Sequence, residues 1–117
     1  MVTVDDARRI AADLPGSYEV VVRDRVKFRV GRYVYVAFSR DETVMGFAYL
    51  REERDALVAS DPETFLPPDR ADERYQWVQA RMMALDLGQL RELVVDAWRI
   101  AAPKRLVAQY ANSGLGD

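Results

Sequence analysis

Four cations, Arg23, Arg25, Lys27 and Arg29, stand two residues apart within an apolar series, Val20, Val22, Val26, Phe28 and Val30. Successive side chains of an extended strand point to opposite faces, so this spacing predicts a ribbon with one apolar and one cationic side. A row of guanidinium and ammonium groups suits phosphate, which arginine can grip through two parallel N–H donors. Arg32, at the turn that follows, lengthens the row. A solvated outer face whose charges guard an edge strand against aggregation would look the same in sequence.

Other chemistry is scarce. The chain contains no histidine and no cysteine, which removes the commonest general base, the thiolate nucleophile and most transition-metal sites. Ser17, Ser39, Ser60 and Ser113 lie in or beside turn signals, with no nucleophile-elbow motif and no glycine-rich phosphate loop. The acid pairs Asp5-Asp6, Asp41-Glu42, Glu52-Glu53 and Asp72-Glu73 are sequence neighbours, and such neighbours do not face each other on a helix or strand. The expectation is therefore a non-enzymatic protein with no catalytic residue, cofactor or metal, although carboxylates such as Glu52 and Asp55 leave Mg²⁺ formally open.

The net charge of −2 and the pI near 5.2 argue against coating nucleic acid by bulk electrostatics. The charge is nonetheless uneven. Residues 17–40 hold six cations against two acids, whereas residues 41–73 hold ten acids against three cations. Fifteen of the seventeen cations are arginine, a bias that codon usage in a GC-rich genome also produces. No apolar run approaches the roughly 18 residues that suggest a membrane span. The absence of cysteine fits a reducing interior, so a soluble, cytoplasmic protein is expected.

One domain over residues 1–117 must position these groups. Thr3 and Asp6 have capping-box spacing before a first helix, which Pro15-Gly16 stops. Tyr18, Val20 and Val22 alternate as a first strand and Arg25–Val30 as a second. Gly31-Arg32 then makes a two-residue turn, because glycine tolerates the positive φ of a type II′ hairpin. Strands follow at Tyr33–Phe38 and Thr43–Tyr49, and a short helix at Arg51–Ser60 ends on Asp61-Pro62. The stretch 61–74, with Pro62, Pro67 and Pro68, reads as a long loop. Trp77–Met83 reads as a fifth strand, Asp86 and Gln89 frame a longer helix, and Lys104–Tyr110 forms a last short helical turn after Pro103. Core packing is the expected role of most aromatic residues, including Tyr75 and Trp98, but Tyr33 and Tyr35 alternate with Val34, Val36 and Phe38 and are expected to face outward beside the cations.

Leu14-Pro15-Gly16, Val26-Lys27-Phe28-Arg29-Val30-Gly31, Tyr33-Val34-Tyr35, Asp61-Pro62-Glu63-Thr64-Phe65, Trp77-Val78, Leu90-Arg91-Glu92-Leu93, Ala97-Trp98 and Ala102-Pro103-Lys104-Arg105-Leu106 occur in that order. In order and spacing the chain resembles the MmcQ/YjbR family over nearly its whole length. The resemblance implies a bacterial α+β domain with a curved antiparallel sheet of about five strands, an N-terminal helix, a short middle helix and a longer C-terminal helix. It also implies DNA binding by a double wing of β-ribbons, a label that fold alone does not fix. Relatives tend to carry a lysine late in the fourth strand, where this chain has Phe47-Ala48-Tyr49. The segment before Trp77 is Glu73-Arg74-Tyr75-Gln76 rather than a basic or glycine-bearing one.

The expected function is DNA binding or regulation through Arg23, Arg25, Lys27, Arg29 and Arg32, weak because the protein is acidic overall. The alternative is a protein-interaction or small-ligand module on the concave sheet face, with Tyr33, Tyr35 and Trp77 as lining and the proline-rich loop as lid. The partners expected are DNA or a protein, with no membrane, for a monomer or weak homodimer.

Overall fold

The computed structural model describes residues 1–114 and has an α+β architecture. Its antiparallel sheet has six strands, β1 (Ser17–Val22), β2 (Arg25–Val30), β3 (Tyr33–Phe38), β4 (Val44–Ala48), β5 (Phe65–Leu66) and β6 (Trp77–Arg81), in the order β1-β2-β3-β4-β6-β5. Helix α1 (Val4–Ala11) opens on the Thr3–Asp6 capping box, and α3 (Leu87–Ala101) opens on the matching exchange between Asp86 and Gln89. Each box satisfies backbone N–H groups that the first helical turn leaves free. Helix α3 packs on the middle of the sheet and α1 packs on α3. Trp98, fully buried on α3, donates from Nε1 to the Pro15 carbonyl at 3.0 Å and so fixes the Leu14-Pro15-Gly16 corner.

The first hairpin departs from the expected ribbon. Arg23 and Asp24 both have positive φ, 53° and 65°, the signature of a type I′ turn whose twist suits two antiparallel strands. Arg23 is therefore a turn residue. Strands β1 (Ser17–Val22) and β2 (Arg25–Val30) pair Val22 with Arg25, Val20 with Lys27 and Tyr18 with Arg29. Directly paired residues share a face, so Tyr18, Val20 and Val22 lie on the cationic side rather than with Phe28. On β2 itself the expected alternation is present in part: Phe28 and Val30 are buried and Arg25 is exposed, but Val26, Lys27 and Arg29 are all half-buried.

Strand β3 (Tyr33–Phe38) brings a second correction. Phe28 pairs with Val36 but Arg29 pairs with Val34, so Tyr35 is the extra residue of a β-bulge. A bulge shifts the alternation by one residue, and Tyr35 and Val36 both enter the core. Tyr35 is 0% exposed and its hydroxyl meets Ser17 Oγ at 2.6 Å. It is therefore a core residue beside Phe28 and does not line an outer face.

Burial pushes the Tyr35 phenol up to about 12, against a smaller lowering effect of the Ser17 hydrogen bond. An unfolded phenol ionises near 10, so between about pH 10 and 12 the unfolded chain sheds a proton that the folded chain keeps. The associated stability is complete below pH 10 and falls as pH rises through that window, by on the order of 2 to 3 kcal/mol. Urea melts across the window should show this loss, with a shallower decline in Tyr35→Phe. Equal declines would contradict it.

The rest of the sheet comprises β4 (Val44–Ala48), β5 (Phe65–Leu66) and β6 (Trp77–Arg81), with α2 (Arg51–Ser60) between β4 and β5. Strand β5 makes six strands where about five were expected, since two residues are too few to show an alternation. Residues 61–74 are accordingly not one loop: they hold β5 and a single 3-10 turn at Arg70–Asp72. The last helix, α4 (Lys104–Asn112), is longer than the expected turn. No helix among the described residues is long and apolar enough to cross a membrane.

Candidate nucleic-acid interface

One side of the sheet carries the core residues Phe28, Phe38, Met45, Phe47 and Val78. On the other side the register aligns Lys27, Ala37, Gly46 and Gln79 across β2, β3, β4 and β6. The two central positions have almost no side chain, so this row is a trough between taller neighbours. A Cβ on Gly46 would stand 2.6 to 2.8 Å from the Trp77 indole. The indole therefore lies across Gly46, at a closeness only glycine permits.

A groove of about 860 Å³ forms over this row. Arg25 and Lys27 lie on its β2 side, Trp77 and Gln79 on its β6 side, and Asp69, Asp72, Tyr75 and Gln76 form a further wall. Tyr33 borders it together with Ile100 and Ala101 of α3. Tyr33 and Tyr75 are 56% and 51% exposed, so Tyr75 is a groove residue and not a core one.

The wall that contains Tyr75 is held from behind by α2. Arg54 donates to the carbonyls of Glu73, Tyr75 and Trp77 at 3.0 to 3.3 Å, and Arg51 to that of Arg74 at 3.3 Å. One guanidinium with five donors can span three carbonyls, which a lysine cannot do in the same geometry.

The five cations expected to act together are divided by the structure. Arg25, Lys27 and Arg29 share one face of β2, where alternate residues of an antiparallel strand stand about 7 Å apart. Among the described residues Arg25 spends only its Nε, on the Phe38 carbonyl at 3.1 Å. Arg23 lies in the turn at one end, where Arg40 Nε holds its carbonyl at 3.1 Å, and Arg32 lies at the other end with its guanidinium 5.5 Å from the centre of the Tyr33 ring. Among the described residues no carboxylate oxygen comes within 4.0 Å of a side-chain nitrogen of these five. Arg8, Arg9 and Arg99 differ in being paired with carboxylates, Arg8 with both Glu19 and Asp5.

Arg29 carries one further feature. Its Nε is buried and has no acceptor among the described residues. An unmet buried donor costs about 1 to 3 kcal/mol, a penalty that an apolar side chain of similar length would avoid.

Sequence reasoning missed Asp69, Asp72, Gly46 and Arg54 as parts of the site. Gly46, inside the apolar run Val44-Met45-Gly46-Phe47, carried a readable signal, because an interior strand glycine often marks a close approach.

A family model described as YjbR matches residues 12–100. Two uncharacterized proteins, Mb2600 of Mycobacterium bovis and Rv2570 of Mycobacterium tuberculosis, are 30% identical to the chain over 133 residues, covering 97% of this chain and all of each relative. The crystal structure of Deinococcus radiodurans protein DR2400, with a DUF419 domain, superposes with a TM-score of 0.76 at 20% identity, covering 95% of this chain and 89% of that one. At that identity the likeness shows the fold.

Proposed function

The chain belongs to the YjbR family, and we propose that it is a non-enzymatic cytoplasmic module that binds DNA through the cationic face of β2. Arg25, Lys27 and Arg29 contact successive phosphates, and Arg23 and Arg32 extend the contact at either end. The observation that carries this reading is that Arg25, Lys27 and Arg29 share one face of β2 with no carboxylate oxygen within 4.0 Å of their side-chain nitrogens among the described residues. Phosphate contacts of this kind position a protein without reading sequence. The groove's size, within the range of small-molecule sites, favours a second reading in which a free small ligand occupies it.

Arg29→Met separates a functional ribbon from a merely solvated one. The substitution keeps the apolar stem and removes the buried, unpartnered Nε, so stability should stay level or rise by about 1 kcal/mol. DNA affinity, followed by fluorescence anisotropy at low salt, should fall. Unchanged affinity for both duplex and single-stranded DNA would remove Arg29 from the interface, and a lack of binding by the wild type would end the proposal.

A further inference from the structure

We infer that the groove seats one unpaired nucleobase of a single-stranded nucleic acid, its phosphate on Arg25 and Lys27 and its ring against Trp77. This rests on the nucleic-acid reading above and narrows it from a strand to an unstacked base.

The argument begins with the distribution of charge. Both sides of the groove carry formal charge, of opposite sign, with Arg25 and Lys27 along β2 and Asp69 and Asp72 on the wall. A duplex presents phosphates on its whole exterior and would bring them against both carboxylates. A single nucleotide is itself divided: the phosphate is anionic, while the edge of cytosine, adenine or guanine offers N–H donors that carboxylates accept. It can satisfy both sides at once.

The floor suits the same ligand. Lys27 lies two strands from Gly46, a separation of about 10 Å, and Ala37 between them leaves the path open. The indole resting on Gly46 is a flat apolar surface beside that path. Its Nε1 has no acceptor among the described residues and is the indole atom nearest Gly46. Base–aromatic stacking of this kind tolerates any base, because every base has a π-face. Asp69 and Asp72 add a bias toward bases that offer amino groups.

The test compares a short oligo(dC) strand, an abasic strand of the same length and a duplex of the same length. The wild type should bind oligo(dC) about tenfold or more tighter than the abasic strand, and tighter than the duplex. Intrinsic fluorescence should respond only to oligo(dC): Trp98 is fully buried, so the signal belongs to Trp77. Trp77→Phe should keep most of the preference, and Trp77→Ala should reduce oligo(dC) affinity to the abasic level without altering abasic binding. Equal affinity of the wild type for oligo(dC) and abasic strands, or tighter duplex binding, overturns the inference while leaving the phosphate contacts intact. Failure to bind any of the three overturns both. The comparison of ligands on the wild-type protein decides the matter even if a tryptophan variant fails to fold.

Discussion

Phe28→Ala is expected to cost about 3 to 5 kcal/mol of stability. Phe28 is 1% exposed and stands between Lys27 and Arg29 on the opposite face of β2. Its ring meets Phe38 edge-on at 5.6 Å and lies tilted to Tyr35 at 6.3 Å. Truncation removes the transfer energy of a whole ring and leaves a cavity among residues fixed by a sheet, which cannot collapse to fill it. The melting temperature should drop by roughly 10 to 20 °C. Because the same strand carries the cations, the ribbon would lose its definition along with the core. A melt that does not move would contradict the placement of this face inside.

The second large effect is electrostatic. Each phosphate contact on a single strand contributes about −0.7 to the slope of log affinity against log salt. At roughly 50 mM salt, three such contacts are then worth about 10² to 10³ in affinity. The combined Arg25→Ala, Lys27→Ala and Arg29→Ala variant should lose that much. Its stability should fall by only about 1 kcal/mol, from the lost Arg25 bond to the Phe38 carbonyl, since none of the three makes an ion pair among the described residues and Arg29 sheds an unmet donor. Binding within a fewfold of wild type would mean that the charges are only a solvated face.

The β2 pattern was legible because a two-residue period has one meaning once a face is buried, and Phe28 and Val30 define that face. The capping boxes at Thr3 and Asp86, the Gly31 turn and the stop at Asp61-Pro62 were legible for a similar reason, each resting on one local chemistry. The face of β1 was not, because Arg23-Asp24 lacks the glycine that usually announces a type I′ turn, and that turn decides which side Val20 and Val22 take. Tyr35 was misplaced for want of any local sign of the bulge, which arises from pairing with β2. Of the groove, Arg25, Lys27, Tyr33 and Trp77 could be named from residue type. Asp69, Asp72 and Tyr75 could not, since their wall exists only where Arg54 of α2 reaches the carbonyls behind it, a contact with no sequence period.

The central claim, phosphate recognition by the β2 face, is tested most directly by the salt dependence of single-stranded DNA binding. With three to five contacts the wild-type slope should lie between about −2 and −3.5, the triple variant should be shallower by about two, and Arg91→Ala on exposed α3 surface should match wild type. A triple variant with the slope of wild type and of Arg91→Ala would contradict the account.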